Sequence, residues 1–232
     1  MCFSPQADLL AGVVVGAVGL DGLRHVRRPS ELWLAALPVV LAVHQLVEAV
    51  VWLGLQGRVG EDAWRLAMGI YLAIAFGLLP VLVPVAVAAL EPRERRRRFF
   101  GFTLVGAAVS VSLMYAVVRG PVDARIRNLH IDYSVALWHG GLLVALYVVA
   151  TCGPMLVSGL RNVRWYGLAN VVVAGVLAWF TETAFISLWC VWAAISSVAI
   201  GLHLRLANAE RPNAGRPDSE RRSAEAPQTR PA

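Results

Sequence analysis

The sequence contains no lysine; all 21 of its basic residues are arginine. A retinal pigment needs a lysine amine for its Schiff base, so a seven-helix rhodopsin is excluded. Cysteine is almost as scarce. Cys2, Cys152 and Cys190 are too few and too scattered for a disulfide framework or a zinc-ribbon spacing. Charge is low as well: 16% of the 232 residues are charged against 58% hydrophobic, which describes a polytopic membrane protein rather than a soluble domain. The net charge of +6 does not point to nucleic acid, because the arginines flank apolar runs. There they set orientation and meet anionic headgroups. The N-terminus also lacks the basic start of a signal peptide: Asp8 is the only charge before the first apolar run.

Seven apolar segments follow one another, so the expected fold is an all-α bundle of seven transmembrane helices. The first covers about Gln6 to Val26 and carries Gly12 and Gly16, a G-x-x-x-G face that permits close helix contact. The second is the stretch from Glu31 to Gln56. The third runs from Glu61 to about Glu91 and contains Pro80 and Pro84, which free backbone carbonyls a turn earlier and predict a kink that protein or water must satisfy. The fourth spans about Phe99 to Val118 and the fifth about Val135 to Val157. The sixth, about Val163 to Thr181, and the seventh, about Thr183 to Ala207, form a tight helical hairpin around Glu182. Residues 208–232 turn to Glu, Arg, Pro, Ser and Ala, cannot build a core, and read as a disordered cytoplasmic tail behind a 1–207 membrane domain.

Arginine bias sets the orientation. Arg24, Arg27, Arg28, Arg93, Arg95 to Arg98, Arg161 and Arg164 follow segments one, three and five, whereas only Arg58, Arg65, Arg119, Arg125 and Arg127 follow the even segments. The positive-inside rule then puts the N-terminus outside and the tail in the cytoplasm of a multi-pass inner-membrane protein. Arg93 and Arg95 to Arg98 form a sharp basic turn suited to anionic headgroups.

The second segment is apolar enough to cross a bilayer, yet carries His44, Gln45 and Glu48 near its middle. A carboxylate at that depth costs about 2.5–3.5 kcal/mol on insertion scales, so it needs partners or water. In a helix His44 and Glu48 lie one turn apart, as do Gln45 and Glu48, so the three edge onto one stripe. The expected orientation gathers further polar residues in the same outward half: Tyr71, Ser112, Tyr115, His130, Asp132, Tyr133, His139, Glu182, Ser187 and Cys190. The candidate binding set is therefore His44, Gln45, Glu48, Tyr71, His139, Glu182, Ser187 and Cys190. Bland roles stand beside these: packing histidines, a structural Glu182, a small buried Cys190, and Trp52, Trp64, Trp138, Trp179 and Trp189 as an interfacial belt.

Three short motifs carry a resemblance. MCFS at Met1 to Ser4, QLVEAVVW at Gln45 to Trp52, and SLWC at Ser187 to Cys190 resemble a family of uncharacterised bacterial seven-helix membrane proteins that open with Met-Cys-Phe-Ser. Ala49 stands where that pattern carries a glycine. The resemblance covers residues 1 to about 207 and implies the membrane-protein fold, and no activity.

The best functional expectation is binding or transport of a small molecule or ion in an outward cavity. The alternatives are a zinc hydrolase of alkaline-ceramidase-like type, with His44, Glu48 and His139 as ligands, and a structural or sensory protein whose polar cluster fixes helix register. The histidines His25, His44, His130, His139 and His203 show no paired-ligand spacing, which weighs against zinc. The orientation is directly testable. A reporter fused after Ala207 is expected to register as cytoplasmic; a periplasmic signal would reverse the bundle and every inside–outside assignment drawn from it.

Overall fold

The computed structural model describes residues 4–127, 130–180, 192 and 195–200, with the side chains of 177–180 set aside. It is mostly helical. Helix α1 spans Pro5–Arg24, α2 Pro29–Leu55 and α3 Glu61–Leu72; a π-helical stretch, Ala73–Leu78, leads into α4, Leu79–Leu90. Then come the short α5 (Arg93–Arg96), a 3-10 turn (Arg97–Phe99), α6 (Phe100–Arg119), strands β1 (Val122–Arg127) and β2 (His130–Val135), α7 (Gly140–Val157) and α8 (Arg161–Phe180). Among the described residues five helical stretches are long and apolar enough to cross a membrane: Pro5–Arg24, Pro29–Leu55, Glu61–Leu90, Arg93–Arg119 and Gly140–Val157. Most of the expected seventh segment, with Glu182, Ser187 and Cys190, lies outside the described residues, as does the tail.

Helices α1 and α2 pack antiparallel through the glycine face. A Cβ on Gly12 would meet Leu46 Cγ at 2.6 Å, and one on Gly19 would meet the backbone nitrogen of Val39 at 2.9 Å. Small residues thus let the two backbones approach closely, as the G-x-x-x-G spacing anticipates.

The third segment shows how proline is accommodated in apolar surroundings. In the i→i+5 register of the π stretch, the missing N–H of Pro80 orphans the carbonyl of Ala75. Tyr147 of α7 donates its hydroxyl to that carbonyl at 2.9 Å. Ser110 of α6 donates to Gly77 O at 2.8 Å. Pro84 likewise frees the carbonyl of Pro80, and Gly106 of α6 abuts that oxygen so closely that any Cβ there would clash with it. Hydroxyls and a bare glycine from neighbouring helices therefore take up the backbone irregularity.

At the arginine-rich end, buried Glu91 joins the α4 and α7 termini: its Oε1 accepts from Ser158 Oγ at 2.6 Å and from Gly159 N at 2.8 Å. Helix α8 meets the seventh segment where Trp192 Nε1 donates to Asn170 Oδ1 at 2.9 Å.

One expectation is corrected. The connection between α6 and α7 is not a loop in an all-α bundle but an antiparallel β-hairpin, registered Val122↔Val135, Ala124↔Tyr133 and Ile126↔Ile131. These pairs share one face, and the pairs Asp123↔Ser134, Arg125↔Asp132 and Arg127↔His130 share the other. The apolar face closes over the helix ends: Ala124 and Ile131 belong to one core cluster with Val51, Trp52, Met68, Tyr71 and Leu72.

The Gly106 contact makes a signed prediction. Glycine to alanine within a helix ordinarily stabilises by about 1 kcal/mol. Gly106→Ala is expected instead to destabilise by about 1–3 kcal/mol, because it overpacks against backbone. Gly101→Ala, where nothing lies within 4 Å, keeps the ordinary sign. Thermal unfolding of the two variants in detergent decides it.

Candidate functional site

The site begins with the stripes of α2. Pro38, Ala42, Gln45, Ala49 and Trp52 are all buried and recur at three- and four-residue steps, so they share one face. Gly12 and Gly16 both fall against Ala42, so this face is turned to α1. His44 and Val51 lie on the adjacent stripe, turned to α3, where His44 stacks on Tyr71 and Val51 joins the cluster of Met68 and Tyr71. Glu48 sits between the two stripes and is fully buried, at 0% exposure.

A second carboxylate joins it. On α1 the buried residues Pro5, Asp8, Gly12, Val15, Gly19 and Gly22 form one face, and Asp8 is also 0% exposed. Gly12 lies against Ala42 and Leu46, and the two helices run in opposite directions. Four residues back on α1 is four forward on α2, which sets Asp8 level with residues 46 to 50 and so brackets Glu48. Asp8 reads in the sequence only as an acid in the first helical turn, where the helix dipole favours it. The signal that identifies it is its place on the glycine stripe.

Three more polar atoms turn inward at this level. His44 Nε2, Gln45 Oε1 and Trp52 Nε1 are buried and have no hydrogen-bond partner among the described residues. In Trp52 this corrects an expectation: it is a core residue at 3% exposure, not part of an interfacial belt.

Above these lies an aromatic column. The His44 ring stacks on Tyr71 with centroids 4.0 Å apart, and Tyr71 stacks on Tyr133 of β2 at 4.6 Å. The rings lie near-parallel, at 28° and 17°. The column ties α2 to α3 and to the hairpin, so the hairpin forms the roof of the polar region.

Other candidates lie elsewhere. His139 is exposed at the N-cap of α7 with a left-handed backbone (φ 54°, ψ 48°), edge-on to Trp138 at 6.0 Å. It is not in the bundle interior, which corrects the expectation that joined it to His44. Ser112 and Tyr115 are exposed; Ser112 bonds back to Ala108 O and Tyr115 lies under Arg119. Glu182, Ser187 and Cys190 fall outside the described residues. Among the described residues no three His, Cys, Asp or Glu side chains gather as a metal site. The set His44, Glu48 and His139 is therefore not brought together, and the zinc reading loses its third ligand.

The chain belongs to a family of unknown function, DUF6629, whose match covers residues 1–216. No curated protein and no solved structure matches it. The Gln45–Glu48–Trp52 spacing quoted above for the resemblance corresponds here to three buried residues of α2, Gln45 and Trp52 on the face turned to α1 and Glu48 at its edge.

The aromatic column predicts how firmly the roof is held. A stacked aromatic pair is worth about 0.5–1.5 kcal/mol, so Tyr71→Ala should raise hairpin opening and tryptic cleavage at Arg125 and Arg127 about two- to tenfold. Tyr115→Ala, whose ring is exposed, leaves cleavage unchanged; equal cleavage of both variants would show that the column does not hold the hairpin.

Proposed function

We propose that this protein is a multi-pass inner-membrane protein of seven spans, N-terminus outside, that binds a proton or a small cation in its outward half as part of ion-coupled binding or transport. The single observation that carries the reading is the burial of Asp8 and Glu48 at one level of two tightly packed helices. Two carboxylates in such a place demand positive charge, because a desolvated anion is stable only when protonated, paired or coordinated. Gln45 Oε1 supplies a further oxygen, and oxygen donors suit a hard cation. The hairpin and its aromatic column would then govern access from the outer side.

The test is thermal unfolding of the purified full-length protein in detergent, with Na+ exchanged for a bulky organic cation at constant ionic strength between pH 5 and 9. A ligand that binds only the folded state raises its stability by mass action, and each kcal/mol raises the midpoint by about 2–4 °C in a chain of this size. Stabilisation by Na+ should grow with pH, because protons and metal compete for the same oxygens. Glu48→Gln and Asp8→Asn should each abolish the dependence, while Glu61→Gln, on an exposed ion pair with Arg65, should keep it. A protein indifferent to both pH and cation, or a dependence that survives both substitutions, would refute the proposal.

A further inference from the structure

The opposite end of the bundle carries a second feature, independent of the carboxylates. An open depression there is lined by Arg96, Arg97 and Phe100. Arg96 is held in place: its Nε donates to Glu91 O at 3.1 Å and one Nη2 hydrogen goes to Ala89 O at 3.0 Å. These are the last carbonyls of α4, where a cation is favoured by the helix dipole. Glu91 is itself fixed by Ser158 and Gly159, so the guanidinium is preorganised. The side chain of Arg97, next to it, makes no hydrogen bond among the described residues and is exposed.

Phe100 is 64% exposed and begins a stripe along α6: Phe100, Leu104, Val111 and Val118, each more than half exposed. The steps of four and seven residues keep these side chains on one face. A paired cationic seat therefore opens directly onto an apolar track that runs along a membrane-spanning helix. A soluble anion would use the first feature and have no use for the second. An amphiphile with a negative head uses both.

We propose that Arg96, Arg97 and Phe100 form a binding site for an anionic phospholipid, with its phosphate between the two guanidiniums and an acyl chain along Phe100 and Leu104. Planar guanidinium groups match phosphate oxygens geometrically and electrostatically. The neighbouring Arg93, Arg95 and Arg98, all exposed, add to the attraction without defining the seat.

The experiment is native mass spectrometry of the full-length protein in a neutral detergent, titrated with phosphatidylglycerol or with phosphatidylcholine of matched chains. Phosphatidylglycerol should be retained preferentially. Arg97→Ala should cut that preference about fivefold, the effect of one arginine near an anionic surface, and Arg96→Ala/Arg97→Ala should bring it down to the phosphatidylcholine level. Since Arg97 caps nothing, the single variant keeps the fold even if the double variant does not. Arg27→Ala/Arg28→Ala, at the same end of the bundle but away from the depression, should leave the preference intact. The proposal is overturned if the preference survives loss of Arg97, if the Arg27/Arg28 variant lowers it equally, or if inorganic phosphate displaces the lipid at equal concentration.

Discussion

In an apolar bundle a polar group must find its partner within the protein, because hydrocarbon offers none. That constraint organises this molecule. It explains why Tyr147 and Ser110 reach across helices to carbonyls of the π stretch, why α6 carries glycine beside the carbonyl of Pro80, and why Glu91 is stapled to Ser158 and Gly159. An unsatisfied backbone group in hydrocarbon costs several kcal/mol, more than most packing contacts return. Prolines in α4 are therefore tolerable only because specific side chains were placed to meet them.

The same constraint, applied to charge, singles out the hairpin end. Backbone irregularities can be met by hydroxyls, but two buried carboxylates must be protonated, hydrogen-bonded or paired. The glycine face that allows α1 to lie against α2 also sets Asp8 at the level of Glu48. Close packing and the acidic pair are thus consequences of one sequence feature. Over them the hairpin supplies an apolar face, and the His44–Tyr71–Tyr133 column joins that roof to two helices.

Much of the fold was legible in the sequence. Runs of apolar residues announced α1 to α4 and α6 to α8 within a few residues, and Pro80 and Pro84 announced a disturbed helix that needed outside partners. The hairpin was not recognised, because Asp123, Arg125, Arg127 and Asp132 give it the composition of a loop. Its period-two pattern, Val122, Ala124, Ile126 and then Ile131, Tyr133, Val135, was there to be read. Taking the fifth helix to start at Val135 also misplaced His139. The strand runs to Val135 and the helix begins at Gly140, which leaves the histidine at its exposed mouth. Within the site, Gln45 and Glu48 were legible from helical spacing, whereas Asp8 was not. Its one trace in local periodicity is its place on the glycine stripe of α1.

The central claim is that Asp8 and Glu48 constitute one site rather than two buried acids. A double-mutant cycle measures this directly. Unfolding free energies of the parent, Asp8→Asn, Glu48→Gln and the double variant are compared under one set of conditions. Residues that share partners couple by about 0.5–3 kcal/mol, whereas independent sites add within about 0.5 kcal/mol. Coupling in the first range is the result this account predicts; simple additivity would contradict it.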